Sequence, residues 1–226
     1  MSQLALHVVD HGSISFQPTA LIIGGWAGRD PEAVNAHIKE LQEMGVTPPS
    51  KVPCFYPLAP SLLTNADRID VPRKDSSGEV ECVLFNHDGV LYVGVGSDHT
   101  DRKAEAYDVT VSKQMCAKPF SDSVWRFADV AAHWDQLQMR CYRTLEGVRS
   151  LYQEGSVTSL LHPLDLIEKW SGQRTLDQGQ VMFCGTQSVM GQLGYGEAFE
   201  VVLHDPVLGR SLCHAYQLGY LAVDES

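Results

Sequence analysis

The sequence is short of positive charge: 17 lysines and arginines stand against 28 acidic residues, a formal net charge of −11. With no basic face to neutralise phosphates, nucleic acid and anionic membrane are excluded as partners. A small anionic substrate needs only two or three local cations and stays open. Long apolar runs are missing too. None approaches the roughly 18 residues that a membrane span needs, and the opening "MSQLALHVVDHG" is too short and too polar to act as a leader. The six cysteines (54, 82, 116, 141, 184 and 213) form no Cys-x-x-Cys pair. They read as reduced, buried hydrophobes of a cytoplasmic protein, not as a zinc site or a disulfide framework. Repeats and low-complexity linkers are also absent.

What is present suits a globular chain with a sizeable core: 226 residues, 44% hydrophobic and 20% charged, read as one domain over 1–226. Apolar runs at 4–9 and 20–24 predict two strands, with 1–20 an N-terminal strand segment. In "RDPEAVNAHIKELQEMGV", Asp30 predicts an N-cap, Pro31 the first helical position and Gly45 the stop. "TPPSKVPCFYPLAPSLL" carries five prolines and is expected to be an irregular, aromatic-bearing loop, neither helix nor central strand. "EVECVLFN" and "LYVGVG" flank an Asp-Gly turn and predict a hairpin. An amphipathic helix is expected near 124–134, a strand pair around "TLEG", a short helix at "HPLDLIEKW" and a strand-rich last third. Many short strands and few helices indicate a β-rich α+β domain.

Three groupings carry chemistry. Glu79 and Glu81 stand two apart on a strand and so share a face, with Val80 and Cys82 on the other. The polar stretch "GSDHTDRK" closes the hairpin's second strand, and the hairpin returns Asp98 to the neighbourhood of Glu79 and Glu81. Three carboxylates at one point suit a hard cation, Mg²⁺ or Mn²⁺. Arg102 is then a charge partner or a substrate contact, and His99 a fourth ligand or a group behind the ligands. Carboxylates packed together repel until a cation arrives. Removing the charge of Asp98 is therefore expected to leave the metal-free protein no less stable. His37 and Glu40, at i and i+3 of the first helix, share a face on which the carboxylate fixes the imidazole tautomer and raises its basicity.

Taken together, "HIKE" (37–40), "VPCFYPLAPSLL", "EVE" (79–81), "DHTDR" (98–102), "SKQMCAKPF", "GQVMFCGTQ" and "GYGEAFEVVL" resemble, in order and spacing, the fumarylacetoacetate hydrolase superfamily, and within it an uncharacterised, domain-of-unknown-function branch. The resemblance spans roughly residues 20 to 205. It implies a mixed β-barrel or roll with a short lid helix (30–62, with the proline-rich loop) and a homodimer. The divalent metal would be held by Glu79, Glu81 and Asp98. It further implies that His37 with Glu40 activates a water. Lys113 or Lys118 would neutralise substrate charge, and Arg29, Tyr56, Arg102, Gly185 and Thr186 would line the substrate. The implied reaction is C–C bond hydrolysis of a small 2-oxo or β-diketo acid through a metal-chelated enolate. Decarboxylation, isomerisation or hydration on the same site is the alternative, as is a binding domain that lost its chemistry. Three departures bear on the substrate. Tyr56-Pro57 stands where a lysine often follows the aromatic, Gly179-Gln180 replaces Gly-Asp, and Gly185-Thr186-Gln187 replaces Gly-Thr-Pro.

Overall fold

Val80–His87 and Val90–Ser97 form the expected antiparallel hairpin, in register from Val80 opposite Ser97 to His87 opposite Val90. Its turn places Asp88 at φ 51° and Gly89 at φ 77°, the left-handed pair that a two-residue turn needs to follow the strand twist. The computed structural model describes residues 3–43, 49 and 51–221, the side chains of residues 37 and 40–43 excepted. Both hairpin strands are buried along almost their whole length, because each of their faces meets a core.

The hairpin is central in an eight-stranded sheet whose order is Gly12–Phe16, Leu4–Val8, Ser123–Arg126, Val90–Ser97, Val80–His87, Gln180–Thr186, Ala20–Gly25 and Cys54–Leu58. No pairing joins the two outer strands, so the sheet is open, a roll and not the closed barrel that was the other expectation. One face packs Val80, Cys82, Leu84, Val93 and Val95 against Met139, Cys141, Val201, Leu203 and Tyr216. These belong to a five-stranded sheet ordered Val148–Ser156, Gln138–Leu145, Ala198–Asp205, Arg210–Tyr220 and Arg68–Val71. On the opposite face Leu6 and Val8, near one edge, share a cluster with Val83, Phe85, Val181, Phe183, Leu21 and Ile23. Strands that far apart in a sheet touch only when the sheet curls strongly. The interior of that curl is the second core. The architecture is α+β and rich in strands.

The elements differ from the sequence expectations in three places. Residues 124–134 are not an amphipathic helix. Ser123–Arg126 is a strand, followed by 3₁₀ turns at Phe127–Asp129 and Ala131–Gln136. It lies between Leu4–Val8 and Val90–Ser97, with Trp125 facing the first core and Val124 the second, and that two-sided burial overrides helical spacing. The polar-looking Gly12–Phe16 is an outer strand that no apolar run announced. Cys54–Leu58, expected to be irregular, is the other outer strand, where Pro57 costs least because one side of an edge strand needs no ladder donor. The helix Pro31–Glu43 starts as expected, with Asp30 Oδ1 accepting the Glu32 N–H at 2.9 Å. His37 and Glu40 fall on this helix; their side chains lie outside the described residues, as does Gly45. The helix Pro163–Ser171 ends at Gly172 in the left-handed region. All six cysteines are free, four of them buried, with Cys54 half-buried and Cys213 exposed. Among the described residues no helix is long and apolar enough to cross a membrane.

Gly96 marks how tightly the roll closes. A Cβ there would lie 2.8 Å from Phe183, 2.9 Å from the Pro119 carbonyl and 2.9 Å from Val83. Gly96→Ala is expected to cost about 1–3 kcal/mol, the usual price of overpacking. Chemical denaturation of the variant against the parent measures it, and a change below about 0.5 kcal/mol contradicts this packing.

Candidate metal centre

Strand parity places the carboxylates. Val83 and Phe85 point into the roll's interior, and Glu81 and Glu79 continue that side toward the strand's start. Opposite them, Asp98 donates its N–H to the Glu79 carbonyl at 3.0 Å, and Gly96 pairs with Glu81. Each of the three side chains offers an oxygen within 4.8 Å of the others. Glu81 is 2% exposed and Asp98 0%. The apolar interior of the curled sheet therefore ends in three carboxylates, which rules out a solvated turn at 96–103.

Three cations stand around them. The short helix Val109–Gln114, capped by Asp108, brings Lys113 onto Asp98 Oδ2, where it donates a short hydrogen bond, and to 3.5 Å from Glu79 Oε2. Lys118, fully buried, donates to the His99 carbonyl at 2.6 Å and lies 3.0 Å from Asp98 Oδ1. Arg102 sets Nη2 3.1 Å from Glu79 Oε1 and donates to Ser77 Oγ at 2.7 Å and to Glu105 Oε2 at 2.9 Å. Asp101 is buried for another purpose: its Oδ1 accepts the Ala104 N–H at 2.8 Å and caps the turn Arg102–Glu105.

The three carboxylates do not share one electrostatic fate. Burial pushes Glu81 well above the usual carboxylate range, and the charges of Asp98 and Glu79 push the same way. Burial also works to raise Asp98, but attraction to Lys113 and Lys118 outweighs it and holds this group well below its ordinary value. Lys113 is the counterpart. Desolvation would lower it, yet Asp98, Glu79 and Glu105 keep it firmly protonated.

Behind Asp98 a hydrogen-bond chain fixes the loop. The Glu79 N–H donates to Ser97 Oγ at 3.1 Å, and the Ser97 hydroxyl is hydrogen-bonded to Tyr216 Oη at 2.7 Å. Tyr216 Oη also bonds His99 Nδ1 at 3.0 Å, and His99 Nε2 bonds Ser76 Oγ at 2.9 Å. The basicity of His99 is depressed, by burial first and by Lys118 and Arg102 next. Both ring nitrogens are thus occupied, so of its two expected roles His99 fills the one behind the ligands.

The remaining expected residues divide. Gly185 donates its N–H to Glu81 Oε2 at 2.7 Å. It does so from a bulge between Phe183 and Thr186, at φ 98°, which turns the amide away from the ladder. Tyr56 faces the cluster, with Lys113 Nζ 5.9 Å from its ring centroid. The Thr186 hydroxyl donates to the Val80 carbonyl at 2.9 Å and accepts from Gln153 Nε2 at 3.0 Å, so it braces the strand. Arg29 is committed to Asp135, at 2.8 and 3.1 Å, and to the Leu160 carbonyl at 2.8 Å. Arg29 thus lies away from the carboxylates, where Lys113 and Arg102 are the cations at hand. Gln153, Ser97 and Tyr216 were not foreseen. Ser97 sits inside "GSDHTDRK" beside Asp98, whereas Gln153 and Tyr216 lie far from the motifs in sequence, and an isolated glutamine or tyrosine in a strand carries no local signal.

The donor set fits a divalent cation. Three carboxylate oxygens converge, and buried Asp98 Oδ1 meets only the Lys118 ammonium, 3.0 Å away, among the described residues. With all four carboxylates ionised, Glu79, Glu81, Asp98 and Glu105 against Arg102, Lys113 and Lys118 leave one negative charge in excess, which a divalent ion would turn positive.

Three solved structures, one of them a fumarylacetoacetate hydrolase family protein, share this fold of an open, curled sheet backed by a second, largely antiparallel sheet. Yeast ynq8, a fumarylacetoacetate hydrolase family protein, matches at a TM-score of 0.61 and 17% identity, over 91% of this chain and 95% of its own. The apo form of 2-keto-3-deoxy-D-arabinonate dehydratase matches at 0.65 and 12%, over 94% and 78%; the same enzyme is also seen with magnesium and 2,5-dioxopentanoate. A 4-oxalocrotonate decarboxylase from Pseudomonas putida G7, complexed with calcium and acetate, matches at 0.54 and 13%, over 88% and 76%. No curated protein matches by sequence. The chain belongs to the family described as "Protein of unknown function (DUF2848)", which matches residues 24–216.

The lysines reverse the expectation for Asp98. Asp98→Asn strips Lys113 and Lys118 of their buried partner and should cost the metal-free protein about 3–5 kcal/mol, as breaking a buried pair does. Glu81→Gln should instead stabilise it. A raised folded-state value means that Glu81 weakens the fold as pH climbs above the ordinary carboxylate range. The gain should therefore be greatest at neutral and alkaline pH and vanish in acid. Asp98 contributes stability above that range and loses it only as pH falls through its depressed value. Denaturation curves of both variants from pH 4 to pH 8 check the opposite signs.

Proposed function

We propose that the protein is a divalent-metal-dependent hydrolase acting on a small 2-oxo or β-diketo acid, with Mg²⁺ or Mn²⁺ held by Glu79, Glu81 and Asp98. The observation that carries this reading is the convergence of three carboxylates on one point, two of them fully buried, ringed by Lys113, Lys118 and Arg102. Fold relatives seen with magnesium and 2,5-dioxopentanoate, or with calcium and acetate, support the pairing of a divalent ion with a small oxo or carboxylate ligand. Bound there, the cation would polarise a carbonyl and stabilise the negative charge that develops beside it.

The chain's own groups supply the rest. Lys113 stays an ammonium, so it serves as a fixed positive charge for a substrate carboxylate and not as a base. Arg102 adds a second cation on the Glu79 side. Burial, with the Cys54 contact, pushes the Tyr56 phenol up, so it keeps its proton as a donor near Lys113. The Gly185 amide holds the Glu81 carboxylate in place. The proposal assigns to His37, with Glu40, the role of taking a proton from the attacking water. A dehydratase or decarboxylase reaction is the second reading, favoured by two of the fold relatives carrying those activities. The proposal includes a homodimer and a cytoplasmic location; six unpaired thiols support a reducing compartment.

The test is turnover of a panel of 2-oxo and β-diketo acids with Mg²⁺ or Mn²⁺, expected for the parent and lost with chelator. Glu79→Gln should weaken metal binding by about tenfold or more, roughly 1.4 kcal/mol, in calorimetric titration. His37→Ala should leave metal affinity intact while slowing hydrolysis about a hundredfold. Undiminished turnover in His37→Ala removes the hydrolytic role and leaves the dehydratase or decarboxylase reading. No turnover by the metal-loaded parent on any member of the panel sinks both.

A further inference from the structure

The residue between the two glutamates, Val80, pairs with Ser97 in the hairpin, but on its other side the ordinary ladder is broken. The ladder to Gln180–Thr186 slips at the bulge after Phe183, and the Val80 N–H is taken instead by Gln153 Oε1 at 2.9 Å. Gln153 belongs to Val148–Ser156, a strand of the other sheet, and its side chain is fully buried. Its amide nitrogen donates to Thr186 Oγ1 at 3.0 Å and to the Gln187 carbonyl at 2.5 Å. Thr186 Oγ1 closes the ring by donating to the Val80 carbonyl at 2.9 Å.

From this geometry we infer that Gln153 is the positioning residue of the metal centre. Through one amide it sets the spacing between the Glu79-Val80-Glu81 backbone and the Gly185-Thr186 turn. That turn supplies the only backbone amide hydrogen-bonded to Glu81, at 2.7 Å, among the described residues. Every hydrogen-bonding atom of the Gln153 amide group is used on these two segments. An apolar residue of equal length would fill the space but leave the Val80 N–H, the Thr186 hydroxyl and the Gln187 carbonyl short of a partner inside a dry core. The two segments would then drift independently, and Glu81 would lose its place relative to Glu79 and Asp98. Groups that hold metal ligands by hydrogen bonds commonly change affinity about 10- to 100-fold when removed.

This inference rests on the metal site proposed above, and its test is a calorimetric titration of Mg²⁺ or Mn²⁺ into folded protein. Asn86 is the control. It is another buried amide, at the far end of Val80–His87, the strand that carries Glu81, donating to the Leu176 carbonyl at 2.6 Å and accepting the Gly89 N–H at 3.1 Å. Gln153→Met should weaken binding about tenfold or more, while Asn86→Leu, which also loses buried hydrogen bonds, should bind as the parent does. Should Gln153→Met not fold, Thr186→Val cuts the same ring and should weaken binding, and Thr186→Ser, which restores the hydroxyl, should bind like the parent. Parent-like affinity in Gln153→Met or Thr186→Val, or an equal loss in Asn86→Leu, overturns the inference while leaving the metal site standing. A parent that binds neither ion overturns the site reading and this inference with it.

Discussion

A carboxylate with no solvent exposure stays ionised only beside a cation, and Asp98 has two. Its pairing with Lys113 and Lys118 is the interaction on which the rest of the centre depends. Burying each of these ions costs several kcal/mol that only close contact and further hydrogen bonds offset. Lys113 arrives on a helix whose turn is capped by Asp108, and Lys118 on a two-residue strand paired with Leu63–Thr64. The loop between the second hairpin strand and these lysines is therefore ordered by charge as much as by packing. The chain from Ser97 through Tyr216 to His99 and Ser76 holds its other side.

Asp98 and Glu81 are similarly buried and yet opposite in character. Two ammonium groups hold Asp98 as an anion, whereas Glu81 meets one backbone amide and two like charges. A site built this way has one carboxylate whose charge its surroundings favour and one whose charge they disfavour. The excess negative charge of the whole cluster is small, which keeps the empty site tolerable for the fold. A single divalent ion bound there would leave the cluster with a small net positive charge.

The two sheets meet at this site for a reason of shape. Curling the large sheet makes an apolar interior, and its open end has to be closed by something. Glycine at 96 lets Phe183 and Val83 come close enough to narrow that end, and the bulge at Gly185 turns an amide inward just beyond it. The five-stranded sheet adds stiffness from behind through Gln153 and Tyr216, which reach across the first core to the backbone of the glutamates and to His99.

Much of this was legible in the residues themselves. The hairpin, its Asp-Gly turn, the helix opening at Asp30 and the helix ending at Gly172 are local matters of backbone preference and capping, and local preference is written in short stretches of sequence. The shared face of Glu79 and Glu81 and the return of Asp98 follow from the two-residue strand period and the hairpin's symmetry. Other features were decided elsewhere. Ser123–Arg126 is a strand because Trp125 and Val124 find a core on each side, and Cys54–Leu58 pairs because the sheet has an edge to fill. Arg29 binds Asp135, and Asp98 meets two lysines in place of bare like charges. Each of these depends on partners distant in the chain, whose approach is set by how far a sheet curls and how two sheets stack. Sequence spacing determined which carboxylates could share a face; only packing decided which cations would stand beside them, because burial makes a charge seek the nearest partner in space and not in sequence.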